Sequence, residues 1–292
     1  MFRGIYTALV TPFRDGEIDI PAFERLIEGQ IDAGIDGIVV IGTTGETPTL
    51  SPDEREQVVR LAVQIANGRC QVLAGTGSYS TKDAAAATAA AEKLGVDGAL
   101  VVAPYYNKPS QEGLFRHFQA IAQAAELPIM LYNIPGRCGV DINAETVERL
   151  AAACPTIVSI KEASGSVDRV GALFARMPAT FTILSGDDGL TLPFMAAGAV
   201  GVVSVASNLL PAEICALVRA LDGGDYTAAR GMQRRLAGLF KDLFIEPNPV
   251  PVKTALAWRG QMSPEVRLPL CEMTPANESC LRETLAAFEA SA

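Results

Sequence analysis

"GALVVAPYYNKPSQEGLFRHFQAIAQAAELPIMLYN" spans residues 98–133 and contains the unit from which this chain is built. Two apolar runs rich in β-branched residues, 98–104 and 128–133, flank an amphipathic stretch that begins at Ser110. A short apolar run bounded by turn residues predicts a buried strand, and a serine before a periodic apolar stretch predicts the start of a helix. The segment therefore predicts a strand, a crossover helix and a second, parallel strand.

The same unit recurs along the chain. Six further runs of this character bring the total to eight, at residues 4–10, 37–42, 71–77, 98–104, 128–133, 157–163, 181–186 and 201–207. The stretches between them carry helix start signals, such as Ser51 followed by Pro52 and two acidic residues, and Asn143. Eight alternating units in about 220 residues predict an α/β fold, a (β/α)8 TIM barrel.

A doubly wound open sheet is the alternative fold, because it also alternates strands with helices. An open sheet would more often show GxGxxG after its first strand, and no such motif follows residues 4–10. After residue 224 the strand pattern stops, and residues 225–244, 248–260 and 276–290 each have the character of a helix. We predict that residues 1–224 form the barrel carrying the active site and that residues 225–292 form a C-terminal helical domain.

Composition narrows the class of protein. The 292 residues are 49% hydrophobic and 20% charged, which is typical of a compact fold. A net charge of −9 argues against partners such as nucleic acid or an anionic membrane. The apolar stretches near the N-terminus and at 192–211 are interrupted, so neither a signal peptide nor a transmembrane span is predicted.

The cysteines and the single histidine indicate neither a disulfide framework nor a metal site. The chain has six scattered cysteines without a CxxC pair, and His117 is the only histidine. Separated thiols in a chain of this length fit a reducing compartment, and we expect a cytoplasmic protein. The cysteines are Cys70, Cys138, Cys154, Cys215, Cys271 and Cys280.

One lysine lies at the end of a predicted barrel strand. In "IVSIKEASG" (157–165), the alternation of strand side chains directs Ser159 and Lys161 toward the barrel axis, at the end where barrel active sites lie. Partial burial would lower the pKa of Lys161 and supply the neutral amine that attacks a ketone. The alternative is a structural lysine paired with Asp187 or Glu162. The remaining lysines look ordinary: Lys82, Lys93, Lys108, Lys241 and Lys253.

The preceding strand offers an acid/base group and a cation. By the same parity Tyr132 points toward the axis beside the lysine, and because His117 falls within a predicted helix, proton transfer must use a phenol, hydroxyl or carboxyl. Arg137, in the turn that follows, could bind a carboxylate. The alternative for Tyr132 is a core aromatic residue, and the alternative for Arg137 is a solvated surface arginine. The Tyr105–Tyr106 pair at another rim is, taken alone, more typical of packing.

The loop "GTTGE" (42–46) after the second strand could bind an anion. Gly42 and Gly45 allow close approach of the backbone, and Thr43 and Thr44 offer amides and hydroxyls. No lysine follows the second glycine, so the loop is not a P-loop, and the acidic pair at 187–188 would repel a phosphate.

Taken together, six motifs resemble the dihydrodipicolinate (4-hydroxy-tetrahydrodipicolinate) synthase family, within the pyruvate-dependent class I aldolases. The resemblance covers the barrel and enters the tail. It implies a (β/α)8 barrel with a C-terminal helical domain, usually a homotetramer, that condenses pyruvate with L-aspartate 4-semialdehyde in the diaminopimelate route to lysine. It implies no metal or organic cofactor. The motifs are GTTGE (42–46), PYYNKPSQEG (104–113), LYNIPGRCG (131–139), IKEASG (160–165), LSGDD (184–188) and NPVPVK (248–253).

The resemblance also implies roles for four catalytic residues. Lys161 matches the lysine that forms a Schiff base with pyruvate, and Tyr132 matches the phenol that shuttles protons. Thr43 matches the hydroxyl of the proton relay. Tyr106 matches a tyrosine that completes the relay from an adjoining subunit.

Four further positions match substrate-binding residues of the family. Thr44, with Thr43, matches the pair that holds the pyruvate carboxylate. Arg137 matches the arginine that receives the carboxylate of the semialdehyde. Gly186 and Val203 match positions that line the pocket.

Two other functions compete with this one. N-acetylneuraminate lyase and 2-keto-3-deoxy-sugar acid aldolases share the lysine and the tyrosine, but favour serine where Thr43 stands and lack the counterpart of Arg137. The second competing function is a non-catalytic keto-acid-binding regulator on the same scaffold.

Lysine-inhibited relatives often differ at Pro52, Arg55 and Tyr79, so weak or absent inhibition by L-lysine is expected.

Overall fold

The computed structural model describes residues 2–290, and its centre is a closed barrel of eight parallel strands. Each strand pairs with the next along the chain, and the last closes on the first, with Gly201 opposite Gly4. The predicted barrel is confirmed and the open sheet is excluded. The strands are β1 Gly4–Ala8, β2 Gly37–Val40, β3 Gln71–Gly75, β4 Gly98–Val102, β5 Ile129–Asn133, β6 Ile157–Glu162, β7 Thr182–Ser185 and β8 Gly201–Ser204.

A helix follows each barrel strand. Ser51 and Glu54 form the reciprocal hydrogen bonds of a capping box, and Ser110 accepts a hydrogen bond from the amide of Gly113, as its start signal predicts. Asn143 precedes its helix without a side-chain capping bond. The helices are α1 Ile20–Asp32, α2 Pro52–Ala66, α3 Thr81–Lys93, α4 Gln111–Ala122, α5 Ala144–Ala153, α6 Val167–Arg176, α7 Thr191–Ala196 and α8 Pro211–Asp222.

The tail consists of three helices, α9 Tyr226–Asp242, α10 Val250–Trp258 and α11 Pro275–Ala290, as the sequence predicts. Helix α9 packs between α8 and α11. No helix within residues 2–290 is long and apolar enough to cross a membrane. A hairpin of Phe13–Arg14 with Glu17–Ile18 was not predicted, because its two-residue strands are too short to show alternation.

Glycine closes the barrel at the seam between β1 and β8. Gly201 has φ +158°, and a Cβ added there would overlap the carbonyl oxygen of Gly4. Any larger residue would therefore push the two strands apart. Within this ring the strand residues are almost all buried, so the strand ends are held rigidly.

The interpretation of Lys253 as an ordinary lysine was wrong. It lies in α10 with no exposed surface, and its Nζ is 2.6 Å from Oε1 of Glu46, at the end of the loop after β2. Nζ also donates to the carbonyl oxygen of Thr11 at 2.9 Å and lies 4.3 Å from the ring centroid of Phe13. Burial lowers the pKa of Lys253 to about 8. The ion pair thus fastens the tail to the loop above β2.

Lys253→Met is expected to lower the free energy of unfolding by about 3–5 kcal/mol, because it leaves the carboxylate of Glu46 buried without its cation. Urea unfolding followed by circular dichroism measures the change. Lys241→Met, at an exposed site on α9, is the matched control and should change the free energy by less than about 0.5 kcal/mol. A loss below about 1 kcal/mol for Lys253→Met would contradict the assignment.

Candidate active site

Lys161 lies near the C-terminal end of β6 and is 5% exposed. In the barrel register it pairs with Tyr132 of β5 on one side and with Leu184 of β7 on the other. Its Nζ lies 4.2 Å from the centroid of the Tyr132 ring. Two neighbouring strands therefore hold the amine and the phenol side by side, as their alternation predicts.

Neither of the two carboxylates considered as structural partners pairs with this amine. Glu162 is fully buried and instead binds Arg169, with 2.6 Å between Oε2 and Nε. Asp187 accepts from the amide of Gly189 at 2.9 Å. Lys161 takes part in none of the ion pairs found among residues 2–290. The amine of this nearly buried side chain therefore has no neutralising contact.

Burial determines the protonation of this amine. It lowers the pKa of Lys161 to about 8; the positive charge of Arg137 adds to this lowering, and the negative charge of Asp188 opposes it. A group with this pKa is about one-tenth neutral at pH 7, whereas a lysine of ordinary pKa is less than about one-thousandth neutral. The site thus supplies a nucleophilic amine near neutral pH.

Asp188 lies buried in the turn after β7, and three donors hold its carboxylate. The hydroxyl of Ser204 and the amides of Val205 and Ala206, the latter two at 3.0 Å, all donate to its carboxylate. From the sequence alone, Asp188 was predicted only to repel phosphate. The structure places it where its charge acts on Lys161. Only its position after a barrel strand could have indicated this.

The phenol of Tyr132 stays protonated at neutral pH. Burial raises its pKa to about 12, and the charge of Arg137 and the hydroxyl of Thr43 partly oppose that rise. The Thr43 hydroxyl therefore lies close enough to the phenol to affect its pKa. A protonated phenol beside a second hydroxyl can pass a proton to or from a group bound at the neighbouring amine.

The loop 42–46 is fixed by contacts from two directions. Gly45 packs against the end of β1, where an added Cβ would lie 3.3 Å from the carbonyl oxygen of Leu9. The carbonyl oxygen of Gly45 accepts from the hydroxyl of Thr11 at 2.8 Å. The freedom of Gly45 thus serves packing against the barrel. On its other side, Thr44 accepts a hydrogen bond from Asn248 of the tail at 2.9 Å.

Four further candidate residues are Gly186, Arg137, Val203 and Tyr106, and they differ in how they relate to the amine of Lys161. An added Cβ at Gly186 would lie 2.9 Å from Cε of Lys161, so glycine leaves room beside the amine. Arg137 is exposed on the one-turn helix Pro135–Cys138, and its charge reaches the amine and the phenol. Val203 is buried within β8. Tyr106 is 91% exposed and stands apart from this group.

Sequence reasoning missed the contact of Asn248 with Thr44. This residue was noted only within the motif NPVPVK, and it is separated from Thr44 by 204 residues. No local pattern indicates such a contact.

His117 lies inside α4, as expected, and burial lowers its pKa to about 4. Within residues 2–290, no group of three or more His, Cys, Asp or Glu side chains is arranged to hold a metal ion.

Comparisons with known proteins agree with this geometry. The model of the dihydrodipicolinate synthetase family matches residues 1–288. The 4-hydroxy-tetrahydrodipicolinate synthase of Aquifex aeolicus (strain VF5) is 51% identical over 285 residues, which cover 98% of this chain and 97% of the relative. That of Hydrogenobaculum sp. (strain Y04AAS1) is also 51% identical, over 98% of both chains.

Solved structures give the same result. The 4-hydroxy-tetrahydrodipicolinate synthase from Methylacidiphilum fumariolicum SolV superposes with a TM-score of 0.98 at 56% identity, over 99% of this chain and 97% of that one. The dihydrodipicolinate synthase from Aquifex aeolicus gives 0.97 at 50% identity, over 99% and 98%. Since the family model and these relatives match nearly the whole chain, the chain belongs to the dihydrodipicolinate synthetase family.

Proposed function

We propose that this enzyme condenses pyruvate with L-aspartate 4-semialdehyde to form 4-hydroxy-tetrahydrodipicolinate, the first committed step of lysine (diaminopimelate) biosynthesis. It is a lyase of the class I aldolase type. The relatives that match this chain carry the name of that synthase. The observation that carries the proposal is the unpaired Nζ of Lys161, on a side chain that is 5% exposed, 4.2 Å from the ring centroid of Tyr132.

The first half of the reaction uses the amine and the phenol. Neutral Lys161 attacks the ketone carbon of pyruvate, and loss of water leaves an iminium. The iminium withdraws electrons from the methyl group, which gives up a proton and becomes an enamine. Tyr132 exchanges protons with these species, and Thr43 relays them onward. Thr43 and Thr44 hold the pyruvate carboxylate during these steps.

The second half of the reaction involves the rim of the barrel, where Arg137 lies. The enamine carbon adds to the aldehyde carbon, and the aldehyde oxygen takes up a proton from the relay. Arg137 receives the carboxylate of the semialdehyde through charge-assisted hydrogen bonds. The amino group of the same substrate then displaces Lys161, which closes the ring and returns the free amine. Gly186 and Val203 shape the pocket around the bound keto acid.

Turnover of the two substrates tests this function. We expect the purified protein to consume pyruvate and the semialdehyde in an assay coupled to a nicotinamide-dependent reductase that acts on the product. N-acetylneuraminate and 2-keto-3-deoxy-sugar acids should release little pyruvate, because Thr43 and Arg137 match the synthases. Faster cleavage of a sugar acid would favour the lyases, and binding of pyruvate without any turnover would favour a regulator.

Formation of the imine should depend on pH through the amine. Because the attacking form is neutral and the pKa of Lys161 is about 8, the rate should rise nearly tenfold per pH unit below 8 and level off above it. The rate of borohydride-trapped pyruvate incorporation between pH 6 and 9.5, with the rate at pH 6 as reference, measures this. A rate still rising steeply at pH 9.5 would show an amine of ordinary pKa.

Assembly and location extend the proposal. We infer a cytoplasmic homotetramer in which Tyr106 of one copy completes the relay of its neighbour. The 91% exposure of Tyr106 leaves its ring open to a neighbouring copy. Sedimentation equilibrium should give about four times the chain mass of 30.8 kDa, and a monomer at assay concentration would contradict this. We also retain the division into a barrel, 1–224, and a helical domain, 225–292.

Insensitivity to L-lysine stays a prediction. Pro52 begins α2, and the ring of Tyr79 packs edge-on against Tyr105, with 5.4 Å between their centroids. Assays with added L-lysine should show no inhibition at micromolar concentrations. Inhibition in that range would contradict the expectation drawn from Pro52, Arg55 and Tyr79.

A further inference from the structure

Asn248 reaches the substrate-binding loop from the tail. It lies just before α10 and is 6% exposed, and its Nδ2 donates to Oγ1 of Thr44 at 2.9 Å. Thr44 is 3% exposed. The two side chains therefore form a buried hydrogen bond between distant parts of the chain.

This hydrogen bond determines where the hydroxyl proton of Thr44 can point. A hydroxyl carries one proton, and an oxygen that accepts from Nδ2 must direct its own proton elsewhere. Among residues 2–290, Thr44 Oγ1 makes no other hydrogen bond, so its proton has no protein acceptor. A buried donor without an acceptor is costly in the free protein, and a bound carboxylate would remove that cost.

The same segment is anchored at a second point. Lys253 lies five positions after Asn248, and its Nζ binds Glu46, which lies two positions after Thr44. Glu46 also accepts from the amide of Arg267 at 3.0 Å. Two buried contacts thus align the tail with the loop, and Asn248 has little freedom to move away from Thr44.

The amide of Asn248 also leaves an acceptor unpaired. Its Oδ1 is buried and has no partner among residues 2–290. Native proteins seldom leave a buried amide oxygen unpaired, because an unpaired group loses its hydration without compensation. The hydrogen bond between Asn248 and Thr44 thus leaves Oδ1 of Asn248 without a donor and the hydroxyl proton of Thr44 without an acceptor. Both atoms lie next to the loop that binds the keto acid.

We propose that Asn248 is a positioning residue that orients the hydroxyl of Thr44, so that its proton is donated to the carboxylate of the bound keto acid. The inference rests on the proposed function and adds a residue of the tail to pyruvate recognition. Asn248 acts through Thr44, without itself touching the carboxylate.

A double-mutant cycle tests this role. Asn248→Leu keeps the size of the side chain and removes the donor, and it should raise the KM for pyruvate about three- to tenfold while changing kcat less than about threefold. Thr44→Val should raise the KM at least as much. If Asn248 acts only through Thr44, the double variant should match Thr44→Val, because the second change then removes nothing further.

Three outcomes would overturn the inference. They are additive effects in the double variant, an unchanged KM in Asn248→Leu, and a rise confined to the KM for the semialdehyde. Borohydride trapping of pyruvate on Lys161 of the wild-type protein tests the proposed function separately, so the two failures can be told apart. Thermal unfolding checks the fold of each variant, and Asn248→Ala replaces the leucine variant in the cycle if that variant does not fold.

Discussion

Lys161→Ala is expected to abolish turnover, lowering kcat by at least about 10⁴-fold. The variant should also lose the adduct that borohydride fixes in the presence of pyruvate. Without the amine no iminium forms, and the methyl protons of pyruvate stay too weakly acidic to be removed. Because the side chain is uncharged for part of the time and makes no ion pair, its removal should leave the fold intact.

Mass spectrometry identifies the modified lysine. In the wild-type protein, one peptide should gain the mass of pyruvic acid less one oxygen atom, and it should contain Lys161. Lys253 is the informative competitor, because burial also lowers its pKa to about 8. Its Nζ is engaged by Glu46 at 2.6 Å, so it should remain unmodified. Lys82→Ala, at an exposed position on α3, is the activity control. An adduct on Lys253, or turnover by Lys161→Ala, would refute the assignment.

Tyr132→Phe is expected to lower kcat by about 10²–10⁴-fold, the usual contribution of a positioned acid/base group. The change removes one oxygen from a buried phenol whose pKa the Thr43 hydroxyl affects. The ring remains to pack against Nζ of Lys161, so the borohydride adduct should still form, only more slowly. Steady-state kinetics and the rate of trapping together distinguish loss of proton transfer from loss of the amine.

The same substitution at Tyr105 provides a matched control. Tyr105 is a half-buried tyrosine on the rim, and its ring packs against Tyr79. Tyr105→Phe should retain kcat within about threefold. If Tyr132→Phe retained as much activity as the Tyr105 variant, the phenol of Tyr132 would have no part in proton transfer.

The barrel was predictable because each of its strands coincides with a short apolar run that can be recognised from the local sequence. The runs at 98–104 and 128–133 contain β4 and β5, and the six others agree as closely. Period-two alternation then sufficed to place Lys161 and Tyr132 together, and the register pairs them directly. Parity works here because a barrel strand has only two faces.

The contacts of the tail could not be predicted in this way. The sequence identifies α10 as a helix, but it does not say which barrel loop the helix faces. Lys253 is separated from Glu46 by 207 residues, and its burial depends on tertiary packing alone. A lysine near the start of a helix is usually solvated, and that expectation failed because the helix closes over the loop.

Contacts between the tail and the loop after β2 also bear on how this family can diversify. Because the amide of Asn248 and the amine of Lys253 each meet a specific partner in residues 42–46, the two segments form one structural unit. A chimera that takes its last helices from a distant homologue would separate these partners unless the loop were exchanged with them. Recombination among such enzymes should therefore preserve the loop and the tail as a matched pair.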